Sequence, residues 1–508
     1  MTHEVVSILS RVSKLASNGW FPGILILLVG VARSYYSLRT GFLLPDEAFY
    51  ILGIRGEHTV RTVFVGLLGT YFTLTGSRDV FAMLVTGPLF GVMWSIGAIV
   101  LLRRVAMYFP RMRSHAAYCA LTLAVTPVFA MLAPTFLTEP PSLFFAILGM
   151  WQLVAYLENR KSGSLFLSAF SFSLSTMIRQ PYLLFLVGNA LLLLILSASK
   201  RIAYRCSIPF AALAVAVATV TLFPTAMPST SSPVTTSLVI YSPTRPMSPP
   251  GLYLVPIAIE RFFVSVLLGW SPIVALMVVA GYLMISHDTL RSADTRSIAL
   301  TTNIALALGA LGVLAFLMSR SVTVYPSFLM RLSHTGLPSL AVLPRFFSRV
   351  GKKGISLSAT AFLLYLLVFG SGLLSQAQSG LSSAATNRLD LNYVSPYYRL
   401  FLFLKDTNEP VLLFAEPTLR ASLFLEGKSN VEIRGLVSQT EFARSIRSGT
   451  WSMVLLYGEL YPDHFLTLHE HAPFYEQLVR NQTSYRVSTL WWDAESYLLS
   501  VSFRERLT

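Results

Sequence analysis

The sequence predicts an α-helical polytopic membrane protein of about eleven spans, closed by a small C-terminal extracytoplasmic α/β domain. Three observations predict it. Of 508 residues, 54% are hydrophobic and only 12% charged, and the mean hydropathy of +0.61 lies well outside the range of soluble globular domains. Apolar runs long enough to span a bilayer recur along residues 1–375. From about residue 392 the pattern changes to short strand-like and helix-like segments of ordinary soluble character.

The expected spans lie near 20–38, 80–102, 115–133, 141–157, 164–179, 181–199, 207–224, 262–286, 298–318, 322–343 and 355–375. The fifth and sixth are separated only by Arg179-Gln180-Pro181 and are divided there, because proline disfavours helix at the residue before it. The run 62–75 is short and carries Gly66 and Gly69, which suits an interfacial or re-entrant piece of the first loop. Arg11 and Lys14 precede the first run, no small-residue cleavage site follows it, and an uncleaved first helix is expected.

Charge then orients the chain. Residues 376–508 hold 12 Lys+Arg against 14 Asp+Glu, so the basic excess of the whole chain, +15, belongs to residues 1–375. There the cations sit in short loops, where they set topology and meet anionic headgroups; nucleic acid is excluded as the partner. With the N-terminus cytoplasmic, 17 cations fall on inner segments, from Arg11 to Lys353, and about half as many fall outside. This puts the first loop (39–79), the Pro/Ser/Thr-rich loop 225–256 and everything after about 375 on the outer face. The domains expected are therefore 1–375, membrane, and 376–508, extracytoplasmic, in a multi-pass protein of the plasma membrane. In the second domain the sequence reads as a helix at 397–404, a strand at 411–415, a helix at 438–448, a strand at 451–457 and a closing hairpin at 484–503.

Against this frame a few polar residues stand out. Asp46 and Glu47 follow the first span directly; two carboxylates near a bilayer surface need chemistry or a cationic partner, or they simply occupy the first turn of a helix opened by Pro45. Glu139 follows the third run and Arg179 ends the fifth. Arg331 lies inside an apolar run and requires an anionic partner, a wet cavity or a route to the headgroups. Arg179, at a helix end, can also face headgroups. Cys119 and Cys206 have no ligand-type neighbours, so neither a disulfide framework nor a zinc site is expected. The chain shows no internal repeat of the kind many secondary transporters carry.

Four motifs, all at expected outer ends of spans, resemble the GT-C superfamily of integral-membrane glycosyltransferases. The nearest branch holds the dolichyl-phosphate-mannose protein mannosyltransferases and the bacterial aminoarabinose transferases. The motifs are Leu44-Pro45-Asp46-Glu47-Ala48, Leu137-Thr138-Glu139-Pro140, Arg179-Gln180-Pro181-Tyr182, and Met330-Arg331-Leu332 with Pro338 following. In the last, relatives often carry an Arg-Tyr pair and then prolines, so the match is partial. The resemblance implies a donor sugar on a polyprenyl (dolichyl or undecaprenyl) phosphate. It implies a protein, lipid-linked glycan or envelope-polymer acceptor on the outer face. By the same resemblance Asp46 is the base, Glu47 orients the acceptor or Asp46's partner, and Glu139 is a second acidic group of the same cavity. Arg179 and Arg331 are lipid-phosphate ligands, since a guanidinium fork matches phosphate oxygens.

Arg33 and Arg61 are fallback phosphate ligands. Tyr50 and Tyr325 are candidates to line the sugar site, although interfacial tyrosines also serve as membrane anchors. No cofactor or metal is required for such a displacement, although some superfamily members use a divalent cation. The competing classes are a transporter or lipid flippase and a non-catalytic scaffold of the same fold.

Two further signals are read as structural. Trp491-Trp492-Asp493 resembles an oligosaccharyltransferase signature but lacks the following Tyr-Gly, and is expected to pack a hairpin. His464, His469 and His471 are not spaced for a shared metal on a helix. Asn481-Gln482-Thr483 is a glycosylation sequon.

Overall fold

The computed structural model describes residues 20–41, 45–56, 62–108, 115–222, 264, 266–267, 269–292, 294–319, 331–349, 394–415, 418–435, 444, 450–459, 485–492 and 496–503. The expected span 355–375, the loop 225–256, the helix 438–448 apart from residue 444, the three histidines, Asp493 and the sequon lie outside these residues. The chain divides into two compact units: 1–34, 53–76 and 86–367 form the first, and 35–52, 77–85 and 368–508 the second.

The first unit is helical. Its elements include most of α1 (Phe21–Thr40) and of α4 (Val80–Met107), with α3 (Thr62–Leu74), α5 (Ala116–Val125), α6 (Pro127–Leu132), α7 (Glu139–Asn159), α8 (Ser162–Ile178), α9 (Leu183–Ala198), α10 (Tyr204–Leu222), α11 (Pro272–Ser292) and α12 (Thr295–Ser319). Among the described residues six helices are long and apolar enough to cross a membrane, and four shorter ones are apolar. The protein is an integral membrane protein.

Several departures from the expected spans have local causes. The run 115–133 is two helices, because Pro127 supplies no N–H to continue α5 and instead opens α6. The run 322–343 is not one α-helix: residues 334–342 form a buried 3-10 helix containing Gly336 and Pro338. The run 62–75 is a regular helix, α3, with Phe64, Leu68 and Phe72 buried at i, i+4, i+8. By contrast, α8 and α9 do separate at Pro181. Arg179 is extended (φ −147°, ψ 110°), and a short 3-10 turn, Gln180–Tyr182, leads into α9.

Small and hydroxylated residues set the helix packing. The α7–α8 hairpin turns through Arg160, whose backbone is left-handed (φ 55°). Ser168 donates to the Gly149 carbonyl at 2.8 Å and Ser175 to the Ser142 carbonyl at 2.7 Å, so the helices run antiparallel at close range. Residue 175 opposite 142 fixes where the hairpin ends: the last residue of α8 meets the first turn of α7. Gly91 of α4 faces the turn that enters α7. A Cβ there would overlap the carbonyl oxygens of Thr135 and Ala133, so only glycine lets α4 pass.

Deeper in the bundle, Asn189 of α9 and Asn303 of α12, both fully buried, exchange two amide hydrogen bonds of 2.9 Å. Each amide also donates to its own i−4 carbonyl, Phe185 at 2.7 Å and Ala299 at 2.9 Å.

The second unit holds α2 (Pro45–Ile54), α13 (Pro396–Lys405), α14 (Thr418–Phe424) and strands β1 (Val411–Ala415), β2 (Val431–Arg434), β3 (Met453–Glu459), β4 (Tyr485–Trp492) and β5 (Ser496–Phe503). The sheet order is β2-β1-β3-β5-β4, parallel around β1 and antiparallel across β3, β5 and β4. All five residues of β1 are buried, as befits a central parallel strand. Ser395 caps α13 by accepting from the Tyr398 N–H at 3.1 Å, and its own N–H donates to the Arg39 carbonyl at the end of α1. Phe81, from the segment 77–85, meets Phe401 tilted at 5.1 Å and Phe424 edge-on at 6.0 Å. Residues flanking the first loop therefore belong with the C-terminal sheet.

The hairpin explains the paired tryptophans. A bulge between Thr489 and Trp491 shifts the register. Trp491 is buried, donating its indole N–H to Ser496 Oγ at 3.2 Å beneath the Arg399 guanidinium, 4.6 Å from the ring centre. Trp492 stacks on Tyr497 at 4.9 Å.

Candidate functional site

The first unit carries a buried ion cluster built from three separate segments. Glu139 opens α7 ahead of Pro140 and Pro141, a position where proline's missing N–H costs nothing and the helix dipole favours a carboxylate. Arg179 arrives at the far end of the α7–α8 hairpin, in the extended residue that Pro181 imposes. Arg331 lies on the turn just before the 3-10 helix 334–342.

Their geometry is tight. Glu139 Oε1 is 2.7 Å from Arg179 Nη1 and 2.7 Å from Arg331 Nη2, and accepts from Arg331 Nε at 2.7 Å. Thr138 Oγ1 donates to Glu139 Oε2 at 3.2 Å and accepts from Arg179 Nη1 at 3.1 Å. Glu139 and Thr138 are fully buried, and Arg179 and Arg331 are 4% and 6% exposed. Among the described residues two guanidiniums share this one carboxylate, in a site nearly sealed from water.

Of the residues singled out from the sequence, the structure thus joins Glu139, Arg179 and Arg331. Glu139 does not stand apart as an isolated acid; it is the carboxylate partner that Arg331 requires. Asp46 and Glu47 lie in the second unit, in the first turn of α2 opened by Pro45, the placement the helix dipole favours. Asp46 is half-buried, whereas Glu47 and Tyr50 are buried. Arg61 and Tyr325 lie outside the described residues.

Sequence reasoning passed over His334. It is 1% exposed, three residues beyond Arg331, with Nδ1 at 3.4 Å from the Tyr182 hydroxyl and the ring parallel to Phe129. A lone histidine one turn from an arginine inside an apolar run was the available signal. Among the described residues no three His, Cys, Asp or Glu side chains converge as a metal site would need.

The fold, a polytopic helical unit with a small α/β unit, is similar to that of solved membrane proteins. The crystal structure of the Archaeoglobus fulgidus oligosaccharyltransferase in the apo form aligns over 96% of this chain and 75% of its own, with a TM-score of 0.50 and 9% identity. ArnT from Cupriavidus metallidurans, in the apo state, aligns over 96% and 98% (TM-score 0.49, 11% identity). The archaeal oligosaccharyltransferase AglB from Archaeoglobus fulgidus, in complex with an inhibitory peptide and a dolichol-phosphate, aligns over 91% and 71% (TM-score 0.47, 11% identity). At these identities the likeness is one of fold. Neither a protein-family model nor a curated protein matches the sequence.

Proposed function

We propose that the protein is a glycosyltransferase that moves a sugar from a polyprenyl-phosphate donor to an acceptor hydroxyl on the outer face of the membrane. The observation that carries this reading is the pair of nearly buried guanidiniums, Arg179 and Arg331, that Glu139 holds side by side at 2.7 Å each. A guanidinium fork matches phosphate oxygens, and two forks held together in a low-dielectric site match a phosphate group. A lipid phosphate is the anion that a chain in the bilayer meets at this depth. Glu139 holds both guanidiniums in place, so their orientation is set before the ligand arrives.

The chemistry needs little else. Asp46 takes the proton of the acceptor hydroxyl, the oxygen attacks the anomeric carbon, and the carbon–oxygen bond to the phosphate breaks as the lipid phosphate leaves with the electron pair. Arg179 and Arg331 stabilise the charge that develops on that phosphate. The displacement is in line and inverts the anomeric centre. A monophosphate leaving group handled by arginine requires no metal and no cofactor.

The same reading keeps eleven spans, the N-terminus in the cytoplasm and residues 376–508 outside, in the plasma membrane. It keeps Glu47 beside the base, and Tyr50, Arg61 and Tyr325 as candidates around the sugar.

The test is radiolabel transfer from a panel of polyprenyl-phosphate sugars, in membranes carrying the parent chain or Asp46→Asn. Incorporation that needs Asp46 is the expected result and names the sugar. Equal incorporation by both forms would remove Asp46 as the base. Transbilayer movement of lipid that survives in Asp46→Asn, with no transfer, would favour the flippase class instead.

A further inference from the structure

His334 and Tyr182 make a second link between the segments that the ion cluster joins. Tyr182 ends the 3-10 turn that begins just after Arg179, and His334 begins the 3-10 helix just after Arg331. Both are buried, and His334 Nδ1 lies 3.4 Å from the Tyr182 hydroxyl. The other ring nitrogen, Nε2, is buried and has no hydrogen-bond partner among the described residues.

A buried ring nitrogen left without a partner is costly, so it points to a ligand. The tautomer says which kind. When the Tyr182 phenol donates to Nδ1, the ring proton sits on Nε2, making that atom a donor. A donor one turn from Arg331, whose guanidinium is itself a donor, matches an anionic oxygen and not a sugar hydroxyl proton or a cation.

We propose that His334 Nε2–H is a third donor to the anionic headgroup bound by Arg179 and Arg331, and that Tyr182 is a positioning residue that fixes its tautomer. The inference rests on the transferase reading above and adds the ligand atom: a phosphate oxygen shared between guanidinium and imidazole.

The experiment is equilibrium binding of a short-chain polyprenyl phosphate, with the corresponding polyprenol as control, to the full chain in lipid nanodiscs. His334→Gln places an amide N–H near the Nε2 position, and His334→Asn places one near Nδ1. Gln is expected to bind within about twofold of the parent and Asn about tenfold more weakly, the scale of one hydrogen bond to a charged group. Tyr182→Phe is expected to weaken binding by a smaller factor.

Phosphate-dependent binding that is the same in all His334 variants would overturn this inference and leave the transferase reading intact. Retention by Asn with loss by Gln, or equal loss in both, would assign the histidine to packing and overturn it as well. A parent chain that does not distinguish the phosphate from the alcohol would overturn the transferase reading and this inference together.

Discussion

Helix α7 carries an acidic residue at each end, and the two ends behave differently. Glu139, at the first residue, is fully buried between two arginines; Glu158, nineteen residues on, pairs with Arg296 at 3.0 Å with both side chains over a third exposed. A helical rise of about 1.5 Å per residue separates them by about 28 Å, close to the thickness of a hydrocarbon core. The exposed pair is one of several at that end of the bundle. Arg296 also meets Asp294 at 3.6 Å, and Asp288 pairs with Arg345 and lies 3.8 Å from Arg349. There the charges balance locally, and water does much of the solvating. At the Glu139 end water is excluded, and among the described residues two guanidiniums share one carboxylate. Identical residue types thus mark a solvated surface in one place and a buried cluster in the other; burial separates the two cases.

That contrast can be broken outright. Glu139→Gln removes the carboxylate from between two buried guanidiniums and is expected to cost about 3–5 kcal/mol of stability, whereas Glu158→Gln is expected to cost about 0.5 kcal/mol or less. Reversible unfolding in mixed micelles measures both. Comparable losses at the two ends would mean that the Glu139 cluster is as well solvated as the exposed one.

The contrast can also be sharpened with charge held constant. Arg331→Lys is expected to weaken polyprenyl-phosphate binding about tenfold, because an ammonium cannot reproduce the guanidinium fork. Arg296→Lys is expected to leave that binding unchanged. An Arg331→Lys chain with parental affinity would make Arg331 a purely structural partner of Glu139.

A third, smaller effect concerns a buried polar pair that carries no charge. Asn189→Ala, Asn303→Ala and the double variant form a cycle whose coupling is expected near 0.6 kcal/mol and no more than about 1.7, the range for interhelical hydrogen bonds within membranes. Coupling on the scale expected for Glu139 would show that neutral pairs here are as costly to break as ionic ones.

What could be read from the sequence depended on whether the signal was local. Pro181 splits α8 from α9 through its own covalent structure, and Pro45 and Pro140 mark helix starts for the same reason. The alternation in residues 485–503 specifies a hairpin without reference to the rest of the chain, and the buried run 411–415 specifies a central strand. The partner of Arg331 was different. The cost of burying an arginine says that an anion must be near, but Glu139 is 192 residues away in sequence and arrives only because the α7–α8 hairpin and the 3-10 helix end together. His334 and the Asn189–Asn303 pair were legible as isolated polar residues in apolar runs, a pattern that marks contacts without naming them. The 3-10 helix 334–342 was hidden inside a run whose hydropathy alone suits an α-helical span.

The Asn189–Asn303 pair has a consequence for how the chain is assembled. Helix α9 precedes α12 by more than a hundred residues, so it enters the bilayer during synthesis before its partner exists. Until then the amide of Asn189 can donate only to the Phe185 carbonyl of its own helix, leaving part of its polarity exposed to lipid. The arrival of α12 supplies the matching amide and satisfies both at once. The pair therefore acts as a late latch: it rewards the correct register of two helices made at different times, and a one-residue slip of either would forfeit both cross-helix bonds together.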